Sequence, residues 1–246
     1  YNGIEEGLFE EIDATMLPQD ELLQDAVYSH GVAGFYWSTV MAYNTETYNS
    51  ENPPPSTWEE FWDVDQFPGS RTLRDWPVGN LEFALLADGV PKDELYPLDI
   101  DRAFESLDQI KPHIILWWTG GAEPAAALAD GEVVLGSAYS GRIQTKIDND
   151  QPVAINWQGG ALNRDVWVIP KGSPNRERAM EFIAYASQAN RQSVFAQNIA
   201  YGPVNKLAID QVPEEIVPIL PSAEQNLDQQ FVIDIKWWSE NLDDVL

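Results

Sequence analysis

Residues 32–43, VAGFYWSTVMAY, form a continuous apolar, β-branched and aromatic run with no helical rhythm, and they predict a buried strand or two. The runs at 114–118, 133–139, 153–157 and 166–170 read as further strands, and 71–73 as a short one. Helical signals fall between them. A capping box, Thr57 to Glu60 or Ser56 to Glu59, opens a helix that carries Phe61 and Trp62. Residues 79–88 are helical in pattern. Asp99 or Asp101 caps a helix with Ile100, Phe104, Leu107 and Ile110 on its apolar face, ending at Pro112. Short helices are expected at 125–129 and 141–147. Ser173-Pro174 opens a longer one with Pro at its first position and Ala179, Met180, Phe182, Ile183 and Ala186 facing the core. Another spans 190–198. Residues 2–13 predict a helix stopping near Asp13, followed by an acidic helix-like stretch from Pro18 to Ala26. Helix and strand alternate throughout, so the fold class is α/β with mixed sheets.

Length and charge narrow this picture. A chain of 246 residues makes one large domain or two lobes of roughly 100–150 residues each. With 44% hydrophobic and 22% charged residues it has the composition of a packed protein, not of a disordered one. The net charge of −26 argues against nucleic-acid and anionic-membrane partners. Residues 1–70 hold 14 acids and no Lys or Arg; the first basic residue is Arg71. Such a surface reads as a solvated acidic coat before it reads as a device for attracting cations. Cysteine is absent, which removes disulfides, Cys–metal sites and a thiol nucleophile. That fits the cytoplasm and also an exported bacterial protein. No apolar stretch is long enough to cross a membrane, and no basic-then-apolar leader stands at the start.

Catalytic motifs are missing: there is no nucleophile elbow, phosphate loop, dinucleotide fingerprint or zinc-protease pair. His30 and His113 sit in no recognisable triad. Adjacent acids such as Glu5-Glu6 and Glu59-Glu60 mark solvated helix faces. The 10 Trp, 9 Tyr and 9 Phe are the unusual feature, and they point equally to core packing and to an aromatic-lined cleft. A binder without catalysis fits better than an enzyme. The rival is a carbohydrate-active enzyme with two carboxyl groups across an aromatic cleft.

Several segments, taken in order, carry a resemblance. They are 55–62 (PSTWEEFW), Gly69-Ser70, 130–136 (DGEVVLG) with Tyr139-Ser140-Gly141, Gly159-Gly160, 165–172 (DVWVIPKG), Glu181-Phe182-Ile183 and 200–205 (AYGPVN). Together they resemble the periplasmic substrate-binding proteins of ABC importers for spermidine, putrescine and related amines. The resemblance implies a two-lobed periplasmic binding protein-like fold of type II, α/β, with the ligand cleft between lobes. Residues 1–44 and 164–246 would form a discontinuous first lobe, with a C-terminal tail able to cross to the second, and 45–163 the second lobe. Family members carry a strand, a helix and a strand before the segment resembling 2–13. Roughly 70–90 residues of the first lobe are therefore expected to be missing from its N-terminus, close to half a typical domain. A ligand-less degenerate remnant is the corresponding alternative.

The resemblance also implies site residues. Asp165 matches a carboxylate that grips an amine, Tyr139 a stacking aromatic and Tyr201 a cleft tyrosine. Trp238 falls near a polar residue of the late cleft segment. Trp76 and Gly79 fall where polyamine binders carry carboxylates. Trp37 and Ser38, in the aromatic strand, complete the candidate set. Arg142 replaces a small neutral residue, and Gly120-Gly121 with the helix near Glu123 are expected to rim the cleft. A linear polyamine needs acids at both ends and no guanidinium nearby. One acid and one arginine suit a zwitterion, with the ammonium on Asp165 and the carboxylate on Arg142. The expectation is a short ω-amino acid such as 4-aminobutyrate. Putrescine or spermidine is the runner-up if Asp75 or Glu123 supplies a second anion. The implied protein is a periplasmic monomer without cofactor or metal, with no membrane insertion of its own, that hands its ligand to an inner-membrane ABC permease.

Overall fold

The computed structural model describes residues 2–23 and 26–246, with the side chains of residues 2 and 5 excepted. In chain order the helices and strands are α1 (Asn2–Glu5), β1 (Val27–Tyr28), β2 (Gly31–Asn44), α2 (Trp58–Trp62), β3 (Arg71–Arg74), α3 (Pro77–Ala87), α4 (Ile100–Ile110), β4 (Ile114–Trp118), α5 (Glu123–Ala129), β5 (Leu135–Tyr139), α6 (Ser140–Ile147), β6 (Val153–Trp167), α7 (Arg176–Ala186), α8 (Ala189–Asn198), β7 (Gly202–Pro203), α9 (Glu224–Leu227), β8 (Phe231–Val232) and α10 (Ile235–Val245). The chain divides into two compact units. Unit 1 holds residues 1–37 and 163–227; unit 2 holds 38–162 and 228–246. The chain passes from one to the other inside β2, inside β6 and at 227–228. The lobe boundaries expected at 44–45 and 163–164 thus fall at 37–38 and 162–163, and 228–246 pack within unit 2.

Unit 2 is built on a parallel core. β3 pairs in parallel with β4 and with β5, and the second half of β2 runs antiparallel to β5, placing Thr39 opposite Tyr139 and Tyr43 opposite Leu135. β8 joins β6 in parallel through Ala161 and Phe231. The Thr57 hydroxyl caps α2 by accepting from Glu60 N–H at 3.2 Å. The Glu60 carboxylate reaches one residue further back than a capping box requires, to the Ser56 N–H at 2.6 Å and hydroxyl at 2.7 Å. This places Trp58 in the core, stacked on Phe83 at 3.9 Å, with its indole N–H donating to Gly159 O at 2.8 Å. Burying an indole with its donor satisfied combines a large apolar area with no orphaned polar group. Arg71 is fully buried yet served by backbone carbonyls of Phe61 (3.0 Å), Gly69 (2.6 Å) and Phe67. Desolvation lowers its pKa.

Unit 1 carries the first half of β2, flanked by β1 (Val27 opposite Val32) and by β7 (Phe35 opposite Pro203). The buried Gln192 side chain of α8 joins these pieces: it donates to Gly34 O at 3.2 Å and accepts from the N–H groups of Val204 and Asn205 at 2.8 and 2.9 Å. Segment 166–170 pairs with the start of the chain, since Phe9 bridges to Pro170 and Glu10 N–H donates to Ile169 O at 2.8 Å.

Four local expectations change. The helix at 2–13 survives only as α1, because beyond it the Leu8 carbonyl accepts from Lys171 N–H and Glu10 N–H donates to Ile169 O. Residues 18–23 form a short 3-10 turn (Gln19–Glu21), and residues 24 and 25 lie outside the described part. The strands expected at 153–157 and 166–170 belong largely to one 15-residue strand, β6. α7 starts two residues beyond Pro174, at Arg176, with Asn175 as its N-cap residue.

Candidate functional site

The carboxyl ends of β3, β4 and β5 lie together in unit 2 because the strands are parallel neighbours, and such ends are where open α/β sheets receive ligands. They present Arg74, Trp118 and Tyr139. Trp118 is fully buried and donates through Nε1 to the Ser137 hydroxyl at 3.3 Å. Tyr139 meets it edge-on at 5.1 Å and 81°, half-buried. A Cβ on Gly121 would come within 2.6 Å of the Tyr139 ring, so the glycine pair expected at the rim lets a loop close over this tyrosine. Glu123, at the start of α5, accepts from Thr119 N–H at 3.0 Å and serves that loop.

Tyr139 runs directly into α6. Ser140, its first residue, is buried, and its hydroxyl finds no hydrogen-bond partner among the described residues. The first turn of α6 also carries N–H groups with no intrahelical acceptor. Arg142 follows on this turn, exposed, with no carboxylate in ion-pair range among the described residues. A buried free hydroxyl, a helix start and an unneutralised guanidinium together suit an anion. Ser38, where the chain enters unit 2, is fully buried and donates to Gln230 Oε1 at 2.5 Å.

Unit 1 brings together two expected residues. Trp37 on β2 donates through Nε1 to Asp165 Oδ1 on β6 at 3.0 Å, fixing an exposed carboxylate. Tyr201 stacks on Phe35 at 5.0 Å and 6°, and Phe35 also touches Phe195 at 5.1 Å. Arg164, beside Asp165, lies over the Tyr28 ring at 5.5 Å.

Two candidates have other occupations. Trp238 is buried in the core of unit 2, donating to Glu82 Oε1 at 2.6 Å, so its ring serves packing. Trp76 is the residue before α3 and lines an open groove of about 600 Å³ with Phe104, Trp117 and Lys111. Gly79 has φ +94° inside the kinked start of α3 and donates to Glu82 Oε2 at 2.8 Å. Arg74 was not among the sequence candidates; its place directly after β3, at a strand end, is the signal that could have found it. Among the described residues no cluster of three or more His, Cys, Asp or Glu could hold a metal ion.

Residues 2–218 match the family of bacterial extracellular solute-binding proteins. The chain belongs to that family. This solute-binding protein is 40% identical over 245 residues to the Gamma-aminobutyric acid-binding protein of Pseudomonas aeruginosa, covering 97% of this chain and 68% of that one. Its fold is that of an ABC transporter substrate-binding protein from Bradyrhizobium japonicum, with TM-score 0.93, 38% identity and coverage of 98% and 76%. It is also similar to the Atu4243-GABA receptor structure, at TM-score 0.90, 35% identity and coverage of 99% and 74%. The solute-binding protein therefore has the type II α/β fold, captures a small molecule for an ABC permease, and is not an enzyme. The carbohydrate-active alternative falls with that assignment. Among the described residues no helix is long and apolar enough to cross a membrane.

Proposed function

We propose that this solute-binding protein captures a short zwitterionic ω-amino acid, 4-aminobutyrate or a close homologue, in the periplasm and delivers it as a monomer to an inner-membrane ABC permease. The observation that carries the reading is Arg142. In a chain with 40 acids and 14 bases, an arginine with no ion-pair partner among the described residues sits on the first turn of α6, two residues after the buried Ser140 hydroxyl, which finds no partner among them either. Arg142, Ser140 and the α6 N–H groups take the ligand carboxylate. In unit 1, Asp165, held by Trp37, is the carboxylate suited to an ammonium. Similarity to proteins whose names state γ-aminobutyrate binding supports the choice.

Putrescine or spermidine is the second reading. It needs another carboxylate. Glu123 is engaged as an acceptor for Thr119, which leaves Asp75. It would also bring an ammonium toward Arg142, an unfavourable pairing in a dry site.

A thermal-shift panel of ω-amino acids, α-amino acids, diamines and sugars tests the proposal. A ligand at one hundred times its dissociation constant stabilises by about 2.7 kcal/mol, an easily read shift. The ω-amino acids are expected to give it. A shift with diamines alone would favour the second reading.

A further inference from the structure

Arg74 closes β3, and its backbone is pinned on both sides. Its carbonyl accepts from Asn80 Nδ2 at 2.6 Å, and the next residue, Asp75, donates its N–H to Trp118 O at 2.8 Å. From there the guanidinium lies over two rings, 5.5 Å from the Trp118 centroid and 5.7 Å from that of Tyr139. Trp118 is fully buried and hydrogen-bonded, whereas Tyr139 is half-buried. Neighbours of the Tyr139 ring include the Trp118 edge, the Arg74 cation and the bare backbone of Gly121. The Arg74 charge itself is unspent. Among the described residues no carboxylate stands in ion-pair range of it, although the chain has 40 acids. A planar guanidinium suits this stacking in a way a lysine ammonium does not.

We propose that Arg74 is a positioning and specificity-determining residue of the ligand site: it holds the ring of Tyr139 and keeps beside it a positive charge that favours a carboxylate-bearing ligand over a diamine. The specificity half rests on the reading given under the proposed function. The positioning half stands on the ring contacts alone.

The test uses the full-length protein, with Arg74→Met, Arg74→Lys and Gly121→Ala as variants. Titration calorimetry with 4-aminobutyrate and with putrescine is run beside thermal unfolding and near-ultraviolet circular dichroism. Arg74→Met is expected to weaken 4-aminobutyrate binding about tenfold or more and to narrow its advantage over putrescine, at nearly unchanged Tm. Arg74→Lys restores the charge without the planar stack and recovers part of the affinity. Gly121→Ala displaces the ring from its other contact and weakens binding with Arg74 intact. Binding by Arg74→Met within about twofold of wild type, with the same preference, would leave Arg74 as packing only and overturn the proposal. The ligand-free arm reads positioning directly: an aromatic dichroism signal unchanged by both Arg74→Met and Gly121→Ala would overturn it even if wild type bound neither compound. Wild type binding putrescine and not 4-aminobutyrate would refute the proposed function, and with it the specificity half.

Discussion

The indole N–H of Trp37 donates to the Asp165 carboxylate at 3.0 Å, joining residues 128 positions apart in the sequence. Both belong to unit 1, on the long strands β2 and β6. The bond holds an exposed carboxylate in one rotamer and leaves its charge in place. Trp37→Phe is expected to keep the charge and lose the orientation, weakening ligand binding about three- to tenfold. Asp165→Asn removes the charge, and a loss beyond about a hundredfold is expected. Calorimetry on both variants checks the order; equal losses would contradict it.

Ser140 gives a prediction of opposite sign for stability and binding. Its buried hydroxyl makes no hydrogen bond among the described residues, so Ser140→Ala is expected to leave stability unchanged or raise it by up to about 1 kcal/mol. The same variant is expected to bind the ligand less tightly. Urea denaturation and calorimetry on one preparation read both; a destabilisation above about 1 kcal/mol would show that the hydroxyl serves the fold.

Buried Arg71 answers three backbone carbonyls. Arg71→Ala leaves those acceptors without a donor and is expected to cost about 3–5 kcal/mol in urea denaturation. Arg71→Lys, lacking the fork, recovers only part of that loss.

Glu82 makes stability depend on pH. It is fully buried, and desolvation raises its pKa above the ordinary 4.5 despite donors from Tyr96 at 2.5 Å, Trp238 at 2.6 Å and Gly79 at 2.8 Å. Burial first, and then the neighbouring Glu82 carboxyl, raise the pKa of the Tyr96 hydroxyl in turn. A raised folded-state value means that Glu82 contributes fully below its unfolded value and that the contribution is lost as pH rises through the folded one. The stability of wild type relative to Glu82→Gln is therefore expected to fall as pH rises above the ordinary carboxylate value of 4.5, read by urea denaturation over a series of rising pH values. A difference flat across that range, or one that grows, would contradict the assignment.

The sequence pattern carried the alternation of elements because each buried strand is a short apolar run with its own punctuation. The Thr57 cap and the Asp99 cap, which accepts from Arg102 N–H at 3.2 Å, were legible for the same local reason. Long-range pairing was not. Nothing in residues 8–10 announces that their partners lie at 169–171. At the site, Asp165 came from the family resemblance, and Arg142 from its place just past the end of a buried strand where the family carries a small neutral residue. Trp238 looked like a wall residue, since a pair of tryptophans reads the same in a core or a cleft; the deciding partner, Glu82, lies 156 positions away. Arg74 hid among ordinary strand-end residues, because stacking on Tyr139 requires β3 and β5 to be parallel neighbours.

Titration calorimetry of the full-length protein with 4-aminobutyrate and with putrescine, on wild type and Arg142→Ala, tests the central claim most directly. The account predicts saturable binding of 4-aminobutyrate by wild type, weakened more than about a hundredfold by the substitution, and little heat from putrescine. Tight putrescine binding that Arg142→Ala leaves untouched, with no heat from 4-aminobutyrate, would contradict it.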